Sequence, residues 1–172
     1  MTDQTASMAV QKGIDIAEFV RLGGALSGEV AVRDLPRLRD FVIMGDERLQ
    51  YELRGALSPR LEAQITCIIR GLVALECQRC LAAFEHPVAT NSTLVFVDDE
   101  SKLPPMEEEN ESIDYVVAGA VLDVPGLLED EIILALPIAP RHEAGDCKAS
   151  AQGQSGDDKS SPFAALARLK RN

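Results

Sequence analysis

The residues best equipped for chemistry in this chain are thiols and imidazoles. Cys77 and Cys80 stand in LECQRC (75–80), His86 follows in FEHPV (84–88), and RHEAGDC carries His142 and Cys147. A C-x2-C pair places two thiolates near one ion, and tetrahedral zinc then needs two further ligands. The suppliers are His86, or His142 and Cys147, which four residues separate. The set Cys77, Cys80, His142 and Cys147 makes one zinc site, provided the end of a helix expected at 125–136 returns beside the knuckle. Neither half carries the glycines common in zinc knuckles, and the second half falls where the composition turns linker-like. Inert turn thiols and a redox pair remain as alternatives. A redox pair calls for a helix start in a βαβ unit and a lowered thiol pKa. Here the pair joins two strands, with Arg79 as a lone basic neighbour. Cys67 lies mid-strand on an apolar face and reads as core.

Other catalytic patterns are missing from the sequence. It has no Gly-rich phosphate loop and no nucleophile elbow, and two histidines in all. Glu129, Asp130 and Glu131 could serve as acid and base, but three consecutive helical positions point in different directions and do not converge. A solvated helix start, favoured by the helix dipole, accounts for them. With no Trp, two Tyr and five Phe, mostly in apolar alternations, the chain lacks stacking platforms for single-stranded RNA. RNA contact is left to arginines on the phosphate backbone. Arg48, Arg54, Arg70 and Arg79 are the candidates, with Arg168, Lys170 and Arg171 near the end of the chain.

These residues need elements to hold them. IDIAEFVRL (14–22) reads as a helix stopped by Gly23-Gly24, and SGEVAVRDL (27–35) as a short strand. Residues 38–44 suit a short helix. From Arg48 the period becomes two: Leu49, Tyr51 and Leu53 oppose Arg48, Gln50, Glu52 and Arg54. Residues 62–75 continue it with Ala63, Ile65, Cys67, Ile69, Val73 and Leu75 on one face. Residues 84–97 form a third long strand, which Pro87 weakens at its start. Long strands joined by short turns point to an antiparallel sheet. Residues 113–119 offer an edge strand. Residues 125–137 form a helix with Pro125 in its first turn, Pro137 at its end, and Leu128, Ile132 and Leu136 towards the sheet.

The fold expected is therefore α+β: a curved or partly closed antiparallel β-sheet covered by a helix. Residues 1–143 form a single α+β domain. The Gly/Ser-rich residues 144–160 form a flexible linker, and 161–172 a C-terminal docking helix with Ser161 as cap and Pro162 in its first turn. Alone, so short a helix is marginal in water, so it needs a surface to dock on.

At 172 residues the chain can bury a proper core, and its apolar fraction of 46% is that of a soluble globular protein. The start carries no secretory signal pattern, and no apolar run is long enough to span a bilayer. A cytoplasmic location, with thiols or metal ligands rather than disulfides, is the expectation. The net charge of −11 is uneven: residues 91–172 hold 7 Lys/Arg against 16 Asp/Glu. Glu107, Glu108 and Glu109, with Glu129, Asp130 and Glu131, make an acidic surface that repels phosphate and attracts a basic protein.

LECQRC (75–80), FEHPV (84–88), LLEDEIILALPIAPRH (127–142) and PFAALARLKR (162–171) together resemble the YceD family, the large ribosomal RNA subunit accumulation proteins. The resemblance runs from about residue 45 to the end. It implies a bacterial cytoplasmic, non-enzymatic ribosome biogenesis factor needed for synthesis, processing or stability of 23S rRNA. Its partner would be the large-subunit rRNA precursor or a pre-ribosomal particle. The alternative is an acidic chaperone for a basic ribosomal protein. Some members carry a second close cysteine pair, which makes a four-thiolate zinc site; here His142 and Cys147 stand in its place.

Overall fold

The computed structural model describes residues 12–105, 113–143 and 146–147. Its centre is an open five-stranded sheet in the order β2-β3-β4-β5-β6, formed by β2 (Ala25–Ala31), β3 (Arg48–Leu57), β4 (Ala63–Glu76), β5 (Ala83–Val97) and β6 (Asp114–Val117). The three long strands follow the period-two pattern. Leu49, Leu53, Ile65, Cys67, Ile69 and Val73 are wholly buried on one face, while Arg48, Gln50, Arg54 and Arg70 are exposed on the other. Period and burial agree because a strand sends successive side chains to opposite faces.

Both hairpin turns have visible causes. Between β3 and β4, the buried Ser58 hydroxyl accepts from the backbone N–H groups of Arg60 and Glu62 and donates to the Glu62 carboxylate. Leu61 there takes a left-handed φ of 64°. β4 and β5 pair from Ala63↔Phe96 to Glu76↔Ala83, so the cysteine turn sits at the tip of the longest hairpin. Pro87 lies inside β5, opposite Leu72, rather than weakening its start. Among the described residues β5 has β4 as its one neighbour at that point, since β6 pairs with 94–97, and a proline is tolerated on such an edge.

β6 corrects the all-antiparallel expectation: it runs parallel to β5, with Leu94↔Asp114 through Val97↔Val117 in register. Parallel pairing needs a crossover of a dozen residues or so, and residues 98–113 supply that length. The front of the chain is also corrected. A short strand β1 (Gly13–Asp15) pairs antiparallel with β7 (Val121–Asp123), and the helix α1 is confined to Ile16–Arg21. The Asp15 carboxylate accepts from the Glu18 N–H at 2.8 Å to cap it, and Gly23 ends it at φ 59°. In place of a helix at 38–44, 3-10 turns at Val32–Asp34 and Pro36–Asp40 bury Leu35 and Leu38 completely.

The helix α2 (Val124–Ala135) covers the buried face, with Leu128 and Ile132 at 0% exposure. It lies against β5 and β4 and also touches the 36–40 turn. Its buried arc is therefore wider than one stripe. Glu129 and Glu131 fall within that arc, at 4% and 6% exposure, so the expected solvated acidic helix start holds for Asp130 alone. Among the described residues no helix is long and apolar enough to cross a membrane. The expected docking helix at 161–172 lies outside the described residues, as does all of the linker 144–160 except Asp146 and Cys147.

Candidate metal centre

After α2 the chain returns along the tip of the β4–β5 hairpin. The Gln78 backbone N–H donates to the Pro140 carbonyl at 2.9 Å, and its side-chain amide donates to the Ile138 carbonyl at 3.3 Å. The His142 ring lies against Phe84, with centroids 4.9 Å apart. The knuckle is itself fixed by two bonds, Cys77 N–H to the Ala82 carbonyl and Leu81 N–H to the Cys77 carbonyl. Leu81, 70% exposed, holds the left-handed φ of 61° that this tight return needs.

The returning segment brings Cys77, Cys80, His142 and Cys147 together, with one ligand atom from each lying within 4.8 Å of all the others. Cys77 Sγ is 3.9 Å from Cys147 Sγ, and Cys80 Sγ is 3.4 Å from His142 Nδ1. A tetrahedral zinc with bonds of ~2.3 Å to sulfur and ~2.0 Å to nitrogen sets these separations at ~3.8 Å and ~3.5 Å. The donor set fits zinc in type, number and spacing. His86 stands apart, opposite Val73 on β5, with its ring 6.4 Å from that of Phe84, and is not in the group.

The thiols differ in acidity. Burial of Cys77 opposes ionisation, but hydrogen bonds from the backbones of His142, Arg79 and Cys80 and from the His142 ring outweigh it and bring the thiol down to about 5. Cys80 stands above its ordinary value. The Ala82 backbone favours its thiolate, but burial and the Cys147 and Cys77 thiols together prevail. A dication among them would favour the thiolate form of each. Cys67 belongs to the core: burial, then the charge of Glu131, pushes it up to about 12.

The basic candidates are not gathered in one place. Arg48, Arg54 and Arg70 share the exposed sheet face, with Glu29 3.9 Å from Arg48 and Glu52 2.7 Å from Arg54. Arg70 has no ion pair among the described residues. Arg79 projects from the knuckle turn, about 20 Å of strand from Arg70 if counted at ~3.3 Å per residue through Glu76. Arg168, Lys170, Arg171, Glu107, Glu108 and Glu109 lie outside the described residues.

The acidic trio on α2 does internal duty. Glu129 accepts from the Arg37 backbone N–H at 2.7 Å, and Asp130 pairs with the Arg37 guanidinium at 2.6 Å. Glu131 accepts from the Ser92 hydroxyl, and burial raises its pKa, with Asp114 and Asp130 adding to the rise. Sequence reading missed Ser92 and Arg37. Ser92 did give a signal, since it shares an inward face with Val88 and Leu94 and is a polar residue in an apolar row.

A family model described as large ribosomal RNA subunit accumulation protein YceD matches residues 65–170. The large ribosomal RNA subunit accumulation protein YceD of Haemophilus influenzae is 31% identical over 155 residues, covering 84% of this chain and 86% of that protein. No solved structure matches.

Proposed function

Because the chain belongs to the YceD family of large ribosomal RNA subunit accumulation proteins, we propose that it is a non-enzymatic cytoplasmic factor that supports synthesis, processing or stability of 23S rRNA. The observation that carries this reading is the match over 84% of the chain to a relative of that name. Its partner is the large-subunit rRNA precursor within a pre-ribosomal particle, met through Arg48, Arg54 and Arg70 on the exposed sheet face and Arg79 at the knuckle.

The metal centre supports a scaffold role. Zinc held by Cys77, Cys80, His142 and Cys147 would supply a four-way tether with no open coordination position, the pattern of structural rather than catalytic sites. Phe84 and the Gln78 bonds orient the second pair of ligands, and the hairpin stiffens the first. What the tether fixes is the position of Arg79 and of the chain leaving at Cys147.

A rival reading, an acidic chaperone for a basic ribosomal protein, draws on the charge of residues 91–172. Burial of Glu129 and Glu131 removes two of its six carboxylates, which favours the RNA reading. The test is affinity for 23S precursor RNA as a function of salt. A combined Arg48→Ala, Arg54→Ala and Arg70→Ala variant loses three phosphate contacts, which lowers the slope of log K against log salt by about 2–3. An unchanged slope and affinity refutes direct RNA contact through this face. Co-purification of a basic ribosomal protein that is lost on changing Glu107, Glu108 and Glu109 to Gln would replace it with the chaperone.

A further inference from the structure

A groove of about 800 Å³ lies between α2 and the β6–β7 segment, at the opposite end of β5 from the candidate metal centre. Its apolar wall is unusually open: Leu134 is 79% and Val121 64% exposed, with the half-buried Ile133 beside them. Its polar rim is acidic. Asp114 and Asp123 line it and are exposed, with no ion pair among the described residues, while Asp130 is already paired with Arg37. A groove of this kind accepts the apolar side of a short helix that carries basic residues.

The chain contains such a segment. Residues 161–172, SPFAALARLKRN, place Phe163, Leu166 and Leu169 at three-residue spacing, so that a helix carries them along one side. Arg168, Lys170 and Arg171 follow in its last turn. A helix of this length does not hold itself in water and needs an apolar surface. We propose that residues 161–172 dock as a helix in this groove of their own chain, with Leu166 and Leu169 against Leu134 and Val121 and the basic end against Asp114 and Asp123.

The reach is sufficient. From Phe84, beside the metal centre, to Leu94 in the groove is ten residues of β5, about 33 Å. Residues 148–160 span up to about 43–47 Å when extended. A tether of that length turns docking into an intramolecular event, favoured over capture of a second copy at low protein concentration.

Zero-length carbodiimide coupling on the full-length protein tests this, because it joins Lys170 to a carboxylate it touches. Coupling of Lys170 to Asp114 or Asp123 within one chain is expected, falling at least several-fold in Leu166→Glu and in Leu134→Gln. The second substitution sits on an exposed groove residue, so loss of coupling there does not require an unfolded tail. An equal mixture of 15N-labelled and unlabelled protein separates the occupants: mixed-isotope pairs would place the segment on a second copy and overturn the proposal. Coupling to carboxylates outside the groove, or coupling unaffected by both substitutions, overturns it as well.

Discussion

Replacing Cys147 by Ser removes one of the four ligands and exposes how much the metal is asked to hold. Without zinc, residues 137–143 and 146–147 are kept on the knuckle by two Gln78 hydrogen bonds, the Phe84–His142 ring contact, and the contacts of Cys77 with Cys147 and of Cys80 with His142. Those contribute about 0.5–1.5 kcal/mol each, ~5 kcal/mol together. Ordering nine residues costs about 9–18 kcal/mol in backbone entropy. The contacts lose by roughly 4–13 kcal/mol, and a structural zinc contributes about 10–16 kcal/mol at neutral pH. A bound zinc would therefore decide whether this segment is attached. In Cys147→Ser, or in wild type stripped by a chelator, amides between Ile138 and Cys147 should exchange at nearly the rate of an unfolded peptide. Amides of β3, β4 and β5 should keep their protection, because their core does not pass through the site. Native mass spectrometry should find one zinc in wild type purified without chelator and none in the variant. Equal protection of the 138–147 segment with and without metal, or wild type free of zinc, refutes this reasoning.

Three other outcomes follow from the packing. Leu128→Ala opens a cavity under α2 and should lower unfolding free energy by about 2–5 kcal/mol in a urea titration; a loss below 1 kcal/mol would mean the helix is not seated on the sheet. Glu131 has a folded pKa above its unfolded value, so wild type loses stability as pH rises from the ordinary carboxylate value through the raised one. The melting temperature of Glu131→Gln should therefore pull ahead of wild type as pH rises through that window, whereas parallel curves would contradict the burial. With its thiol at about 12 and no exposure, Cys67 should resist iodoacetamide at pH 8 in folded, chelated protein while the other three thiols react; four labels on folded protein would contradict its placement in the core.

Much of this was legible from residue types and spacing. Alternation marked β3, β4 and β5 almost to their ends, since each is buried on one face and period two then has one outcome. Cys77, Cys80, His142 and Cys147 were nameable as possible ligands by chemistry alone. Their convergence was only a condition, because it depends on Gln78 holding the carbonyls of Ile138 and Pro140, contacts between residues about 60 apart. The parallel direction of β6 shows only in its pairing with β5, twenty residues back in the chain, which no local pattern encodes. Glu129 and Glu131 looked solvated because a charged triplet on a helix usually is; their partners, Arg37 and Ser92, come from distant parts of the chain. Similarly, β1 went unseen because three residues give no readable period, and its pairing partner β7 lies more than 100 residues away.

The most direct test of the proposed role is ultraviolet crosslinking of the protein in growing cells, followed by sequencing of the attached RNA and mapping of the attached peptides. The expected result is crosslinks to the 23S precursor in pre-ribosomal particles, carried by peptides around Arg48, Arg54, Arg70 and Arg79. Crosslinked RNA that is absent, or unrelated to the large subunit, would contradict it.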